Sequence, residues 1–192
     1  NTASNNAGTQ NHLAHYFGSG SGESYFLVTA PGSAYATMDD TDARKLMMET
    51  VDDQVYLTKY VDQGTRTDYA PVIRWAEVLL NRAEALVRSG SAVTQEAVDL
   101  LNAVRTRSFT AGAYTVADFA DAAAFYNAIL MERNMEFLGE GIRNLDLMRL
   151  GLTIPGKDGF GFGSVAPIPA TSESYFWPVP DSELSYNKLM TP

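Results

Sequence analysis

The chain has 192 residues, enough for one sizeable hydrophobic core, and fits either one domain or part of a larger one. Its net charge of −9 argues against nucleic acid as a partner, because a phosphate backbone demands a basic face. With no cysteine, the sequence excludes disulfides, thiolate metal sites and cysteine nucleophiles, and no run approaches the ~20 apolar residues of a membrane-spanning helix.

Residues 1–40 are predicted to be rich in loops. Asn, Ser, Gly and Thr dominate residues 1–24, a composition typical of loops and frayed termini. Residues 25–28 are aromatic and β-branched enough for a short strand, which Pro31 and Gly32 would end.

Two polar groups in this part contain metal-ligand residue types without the spacing of a metal site. His12 and His15 are three positions apart and lack both helical i, i+4 pairing and nearby acids, so we expect surface histidines. Residues 39–42, Asp-Asp-Thr-Asp, lack the spaced acids and distal Glu of a calcium loop, which favours a turn or a helix cap. No metal site is predicted.

Secondary structure becomes regular after this region. Residues 46–51 and 54–60, on either side of an Asp-Asp pair, predict a small β-hairpin. A helix is predicted from Pro71, which suits a first helical position, to Gly90. Its inward stripe is predicted to contain Val72, Trp75, Ala76, Leu79, Ala83, Leu86 and Val87.

Two further helices follow in the sequence. Thr94 is predicted to cap a helix with Ala97, Val98, Leu101 and Val104 inward. The short linker before it forces this helix to lie antiparallel to the preceding one. Residues 115–118 form a capping-box sequence, which predicts the start of a third helix that carries Phe119 through Phe137.

Residues 132–149 interleave charged with apolar side chains at helical spacing. All the cations are arginines, which satisfy carboxylates bidentately and stay charged when desolvated. The pattern predicts a partly buried structural ion network formed by Glu132, Arg133, Glu136, Glu140, Arg143, Asp146 and Arg149. The alternative is a catalytic carboxylate pair among the three glutamates, which step along one helical face; nearby arginines would keep these acids ionised and make them poor proton donors.

Residues 152–192 are predicted to be an irregular Gly/Pro-rich loop and tail. Glycines alternate with Phe160 and Phe162, and several prolines oppose regular structure. The two tryptophans, Trp75 in the first helix stripe and Trp177 in an apolar run, are interpreted as core residues rather than sugar platforms.

These segments carry a resemblance to a known family. The pattern E-R-x-x-E-x-x-x-E-G-x-R-x-x-D-L-x-R, at residues 132–149, resembles the C-terminal signature of the SusD/RagB family, surface glycan-binding lipoproteins of Bacteroidetes nutrient-uptake systems. Further motifs in the family's order are residues 71–85, 101–107 and 177–180, the last followed by Glu183 and Asn187. Asp42 and Arg44 also match an Asp and an Arg of the family, and the resemblance covers about residues 11–192.

The resemblance implies a mainly α fold of antiparallel, tetratricopeptide-like helix pairs with long loops and a small β-hairpin. No second copy of the Trp75 pattern recurs at the usual period of about 34 residues, so the solenoid expectation comes from the family. The helical core would be residues 71–151. Because the chain begins at Asn1 rather than Met, we expect residues 1–192 to be the C-terminal part of one SusD-like domain, partnered by an upstream N-terminal portion.

The resemblance also implies a function without catalysis or a cofactor. The protein would bind glycan at the cell outer membrane, held by an N-terminal lipid anchor outside this chain, and deliver it to a SusC-type TonB-dependent transporter. The alternative is a helical-repeat adaptor that binds another protein. An enzyme ranks third, because no nucleophile motif, metal set or phosphate loop is present.

Sugar rings stack on exposed aromatic side chains beside polar loop residues. Two segments fit this description, and the candidate ligand-binding residues are His15, Tyr16, Tyr25 and Tyr35 in the first segment and Phe160 and Phe162 in the second. The first segment is favoured, since tyrosine offers both a ring face and a hydroxyl. The alternative is that these rings only fix loops to the core.

Overall fold

The computed structural model describes residues 13–19, 27–62, 64, 67–159 and 163–187. Among these, the α-helices are α1 (Leu13–Phe17), α2 (Ala34–Thr37), α3 (Trp75–Gly90), α4 (Gln95–Arg105), α5 (Ala122–Glu136), α6 (Ile142–Arg149) and α7 (Asp181–Tyr186). The strands are β1 (Met48–Val51), β2 (Gln54–Leu57), β3 (Lys157–Gly159) and β4 (Gly163–Val165). The predicted mainly helical fold with a small hairpin is confirmed. The chain divides into two compact units, Asn1–Arg143 and Asn144–Pro192.

The core of the first unit lies between α3, α4 and α5. Leu80 and Val87 of α3 meet Val98 and Leu101 of α4, and Phe125 of α5 packs against the same cluster. The predicted α4 is confirmed, because the Thr94 hydroxyl accepts a hydrogen bond from the Ala97 amide at 3.2 Å and the inward stripe is buried. The antiparallel arrangement follows from a connection of only a few residues.

Helix α3 begins later than the sequence predicts. Pro71 does not start it; Arg74 is still extended, with φ −117° and ψ 154°, and the first helical residue is Trp75. The Arg74 guanidinium is bound by Glu136 and Glu140, so long-range contacts hold this residue outside the helix. The helix ends at Gly90 as predicted, with Ser91 rather than a glycine in the left-handed conformation at φ 59°.

The predicted capping box is present but does not open the third helix. Thr115 and Asp118 exchange the expected hydrogen bonds around a 3₁₀ turn, Val116–Asp118. Phe119 then returns to an extended conformation, and its ring packs between those of Tyr114 and Phe125. Helix α5 therefore starts at Ala122, capped by the Asp121 carboxylate, which accepts from the Ala124 amide at 2.8 Å.

The hairpin β1–β2 forms where the sequence predicts it, with Met48 opposite Leu57 and Val51 opposite Gln54. Asp52 and Asp53 make the tight turn with positive φ, 49° and 63°, a conformation that Asp tolerates better than most residues. The arms are shorter than expected, because residues 43–47 form a 3₁₀ helix instead of extending the first strand.

Residues 39–42 form a turn and a helix cap, as predicted. The Asp39 carboxylate accepts from the Thr41 amide at 2.8 Å, and the Asp42 carboxylate caps the 3₁₀ helix by accepting from the Arg44 amide at 2.9 Å. Capping places the Asp42 side chain in the interior, where it also meets the Arg44 guanidinium. The residue that caps the 3₁₀ helix, Asp42, is thus also one partner in a buried ion pair.

The second unit, Asn144–Pro192, is less irregular than predicted. A bridge joins Ile154 to Ile168, and β3 pairs antiparallel with β4. Tyr175 is buried, and its hydroxyl donates to the carbonyl oxygens of Leu152 at 2.7 Å and Leu147 at 3.2 Å. Prolines therefore interrupt the regular structure of this segment without preventing it.

Both tryptophans are exposed, and the prediction that they lie in the core is wrong: Trp75 is 72% exposed and Trp177 is 93% exposed. Helix α3 carries apolar residues on two faces, and the face that α4 and α5 cover contains Ala76, Leu80, Ala83 and Val87. Trp75 lies outside that face. Within the described residues, no helix is long and apolar enough to cross a membrane.

Candidate functional site

The most distinctive feature of the first unit is a cluster of charged side chains at the end of α5, called here the buried ion network. Its four carboxylates and five cations come from α5, from the turn after it and from four other segments. The members are Asp42, Arg44, Lys59, Arg74, Arg105, Arg107, Glu132, Glu136 and Glu140.

Arg44 lies at the centre of the network. Its Nε and Nη2 atoms donate to the Asp42 carboxylate, at 2.9 Å to Oδ1 and 2.6 Å to Oδ2. Its Nη1 atom donates to Glu132 Oε1 at 2.6 Å and lies 3.7 Å from Glu136 Oε2. The 3₁₀ helix is therefore fastened to α5 by a guanidinium that satisfies two carboxylates at once.

The end of α4 and the loop after it are attached to α5. Arg105 Nη1 donates to Glu132 Oε2 at 2.9 Å, and its Nε donates to the Gly112 carbonyl at 2.6 Å. The Arg105 guanidinium also lies 4.7 Å from the ring centroid of Tyr114, a cation–π distance. Arg107 Nη2 donates to both oxygens of Glu136, at 2.6 and 2.7 Å.

Arg74 connects the approach to α3 with the end of α5. Its Nη1 donates to Glu136 Oε1 at 2.7 Å, and its Nε and Nη2 donate to the Glu140 carboxylate at 3.0 and 2.7 Å. Lys59 Nζ also donates to Glu140. Each of the four carboxylates of the network therefore accepts from at least one arginine.

Glu140 does not continue the helical face of Glu132 and Glu136, so the prediction of three glutamates stepping along one helix is wrong. Helix α5 ends at Glu136, and Glu140 lies in the turn before α6. Gly139 and Gly141 make this turn with φ of 78° and 79°. In this turn Glu140 binds the same guanidinium as Glu136, that of Arg74.

The other predicted members of the network also make polar contacts in the structure. Arg133 is buried and donates to Asn81 Oδ1 of α3 at 2.7 Å, with Glu77 at 3.9 Å. Arg143 approaches the Leu130 carbonyl at 3.5 Å. In the second unit, Asp146 accepts from Arg149 Nε at 3.0 Å.

Burial and ion pairing act in opposite directions on these groups. Burial, the largest influence on Asp42, would raise its pKa, but hydrogen bonds from Arg44 and its charge outweigh burial, so the pKa lies below the ordinary 3.8. For Arg44 and Arg74, burial would lower the pKa, and the carboxylates that they bind raise it above the ordinary value. For Asp42, Arg44 and Arg74 the ionised form is therefore the stable one in the folded protein.

The predicted ligand-binding residues are only partly described. His15 is 9% exposed, contrary to the expected surface position, and its ring meets Tyr16 edge-on at 5.2 Å. Tyr35 is half-buried, and its ring lies 5.3 Å from Lys45 Nζ. The other candidates, Tyr25, Phe160 and Phe162, lie outside the described residues, as does His12.

Sequence reasoning missed the cations of the network. Arg74, Arg105 and Arg107 lie in segments singled out as motifs, but nothing in a linear sequence pairs them with glutamates 27 to 66 positions away. The available signal was arginine, rather than lysine, embedded among apolar motif residues. It also missed Lys59 and the Tyr60 ring, which packs on Phe17 with 5.4 Å between the ring centroids.

Comparisons with known proteins agree with this architecture. The profile of the SusD family matches residues 16–191. A SusD superfamily protein from Bacteroides fragilis is 30% identical with a TM-score of 0.71, over 90% of this chain and 39% of that chain. A SusD superfamily protein from Bacteroides vulgatus is 25% identical with a TM-score of 0.61, over 80% of this chain and 35% of that chain. One from Bacteroides thetaiotaomicron is 27% identical with a TM-score of 0.58, over 78% of this chain and 36% of that chain.

No curated protein matches the chain significantly. The chain spans less than half the length of the solved structures that it matches. The family profile, by contrast, covers almost all of its residues, including every segment that contributes to the buried ion network. On this evidence the chain belongs to the SusD family.

Proposed function

We propose that this chain belongs to a non-catalytic glycan-binding protein of a SusC/SusD-type nutrient-uptake system. The protein would capture oligosaccharide at the cell surface, where a lipid anchor outside this chain holds it on the outer membrane. It would then pass the glycan to a TonB-dependent transporter of the SusC type. The observation that carries the proposal is the match of the family profile to residues 16–191.

The proposed absence of catalysis rests on the partners that the carboxylates bind. Glycosidases use one carboxylic acid that is protonated near neutral pH and a second carboxylate beside it. Glu132, Glu136 and Glu140 each bind at least one arginine, so protein cations occupy the carboxylate oxygens that catalysis would need. We infer a structural role for this cluster.

That structural role would serve binding indirectly. The buried ion network joins α5 to the 3₁₀ helix at residues 43–47, to the loop after α4 and to the approach to α3. Loops that contact ligands bind best when a rigid scaffold holds them. In this proposal the network fixes the loop-bearing segments to the helical core.

For the glycan contact itself, we propose Tyr16 and Tyr35 as aromatic platforms. Both residues are half-buried, so part of each side chain remains accessible. Beside the Tyr35 ring, Lys45 Nζ binds the exposed Asp40 carboxylate at 2.6 Å, which places charged hydrogen-bonding groups next to the ring. Sugars need this combination of an apolar face and polar groups. His15, being buried, would support Tyr16 from within.

Tyr25, Phe160 and Phe162 complete the proposed contacts on sequence grounds alone.

The test is calorimetric titration of the protein, expressed from its complete gene, with a panel of neutral oligosaccharides. The variants are Tyr16→Ala and Tyr35→Ala, and the control is Tyr186→Ala, which removes an exposed tyrosine outside the proposed site. We expect binding without hydrolysis, weakened at least several-fold by the first two variants and unchanged by the control.

Three results would contradict parts of this proposal. Unchanged affinity in both site variants, with the fold intact, would remove these tyrosines from the site while leaving glycan binding in place. Release of shorter sugars during titration would overturn the non-catalytic assignment. No binding to any member of a broad panel would instead favour the adaptor function.

A further inference from the structure

Helix α1, which carries the proposed glycan contact Tyr16, is too short to hold its own position. It has only five residues, Leu13–Phe17, whereas isolated helices of fewer than about 12 residues are marginally stable in water. Tertiary contacts must therefore determine where Tyr16 lies. At the C-terminal end of α1, these contacts come from strand β1 and from Tyr60, which follows strand β2.

The first of these contacts is a hydrogen-bonded carboxylate on β1. Glu49 Oε1 accepts from the Ser19 hydroxyl at 2.5 Å and from the Ser19 amide at 3.4 Å. A carboxylate acceptor makes stronger hydrogen bonds than a neutral acceptor does. Because Ser19 lies just beyond the last residue of α1, this contact fixes the path of the chain as it leaves the helix.

The second contact joins two aromatic rings. Phe17, the residue after Tyr16, packs on Tyr60 with 5.4 Å between the ring centroids, a distance at which aromatic rings attract each other. Tyr60 is 4% exposed, and its hydroxyl donates to the Gly139 carbonyl at 3.3 Å. Both rings lie close to this turn, since a Cβ at Gly139 would be 3.6 Å from Phe17 Cε1 and from Tyr60 Cε2. Tyr60 thus connects α1 to the turn that Glu140 attaches to the buried ion network.

Strand β1 also contacts the helix that carries the other proposed platform, Tyr35. Tyr35 follows Ala34 in α2, and Ala34 belongs to a small buried cluster against which Met48 packs. Met48 and Glu49 are successive residues of β1, so their side chains lie on opposite faces of the hairpin. One strand therefore contacts both of the segments that carry the proposed tyrosines.

We propose that Glu49 and Tyr60 are positioning residues of the glycan site, which hold Tyr16 in the orientation in which its ring meets the sugar. The inference rests on the proposed function, in which Tyr16 is a glycan contact. Tyr60 is buried and acts through Phe17, and Glu49 acts through Ser19. A contact residue that is already held in place loses less conformational entropy on binding. Loss of either support should therefore weaken binding although every group that contacts the sugar is still present.

The test uses the protein expressed from its complete gene and makes two measurements on each variant. Hydrogen exchange, followed by mass spectrometry of the peptide that contains residues 13–19, reports how firmly α1 is held without any ligand. Calorimetric titration with neutral hexasaccharides of glucose, mannose and xylose reports glycan affinity. The disruptive variants are Glu49→Ala and Tyr60→Leu. The conservative variants are Glu49→Gln, which keeps an acceptor oxygen, and Tyr60→Phe, which keeps the ring.

We expect the disruptive variants to exchange faster at residues 13–19 and to bind several-fold more weakly, and the conservative variants to stay near the wild type in both measurements. The control is Leu101→Ala, which removes core packing between α3, α4 and α5. It should lower the melting temperature without either change, because a short surface helix exchanges by local opening rather than by global unfolding.

Three results would overturn this inference while leaving the proposed function in place. Unchanged exchange in both disruptive variants would show that these contacts do not hold α1. Faster exchange with unchanged affinity would show that the held position of α1 does not matter for binding. An equal loss of affinity in Leu101→Ala would assign the effect to general destabilisation. Unchanged affinity in Tyr16→Ala, or no binding by the wild type, would instead contradict the proposed function, and this inference with it.

Discussion

Arg44 and Glu132 form a buried ion pair, with 2.6 Å between Nη1 and Oε1, although 88 positions separate them in the chain. Their side chains are 3% and 1% exposed. At such a site neither charge can recover its hydration if the other is removed, because water has no access. The pair therefore links the placement of the 3₁₀ helix to that of α5.

The first prediction is that Arg44→Ala destabilises the protein by about 3 to 5 kcal/mol, since it leaves Asp42 and Glu132 buried without this cation. Urea denaturation measures the change. The matched control is Arg82→Ala, which breaks the exposed pair with Glu96 and should cost less than about 1 kcal/mol. Equal losses in the two variants would show that burial of the Arg44 pair has no energetic consequence.

The second prediction concerns acid stability. The pKa of Asp42 is below its ordinary value of 3.8 in the folded protein. Its contribution is therefore present above about that pH and is lost as the pH falls through the folded pKa. We expect Asp42→Asn to flatten the acid side of a plot of unfolding free energy against pH. An unaltered slope below pH 3.8 would disprove the assignment to this residue.

The third prediction concerns alkaline stability. Burial, together with the charge of Glu140, raises the pKa of Tyr60 from 10 to about 12. A raised pKa favours the protonated hydroxyl in the folded state, so stability is unaffected below pH 10 and decreases as the pH rises towards 12. Tyr60→Phe should remove this decrease, as measured by urea denaturation at several alkaline pH values. The same decrease in the variant would assign it to other groups.

The fourth prediction separates steric conflict from backbone strain at the turn after α5. Gly139 and Gly141 both have positive φ, so alanine at either costs about 1 to 2 kcal/mol. A Cβ at Gly139 would in addition lie 2.5 Å from Leu57 Cδ2, whereas one at Gly141 would meet nothing within 4 Å. Gly139→Ala should therefore lower the melting temperature more than Gly141→Ala does. A reversed order would contradict the packing of this turn on β2.

Local signals determined several elements from the sequence alone. Thr94 caps α4 as its side chain predicts, because the cap is a hydrogen bond between residues three positions apart. The Asp52-Asp53 turn and the hairpin follow from residues that pair within ten positions. The interleaved charges of residues 132–149 also indicated that acids near the end of α5 would be partly buried, since their neighbours are apolar.

Only the tertiary structure decided where α3 starts, which of its faces is covered and what the acids bind. Arg74 stays outside the helix because glutamates 62 and 66 positions away bind it. Periodicity could not choose between the two apolar faces of α3; packing against α4 and α5 covers Leu80 and leaves Trp75 exposed. The charge pattern of residues 132–149 predicts that its carboxylates pair with cations, but it does not identify those cations. Arg44 becomes the partner of Glu132 only when the fold brings the two segments together.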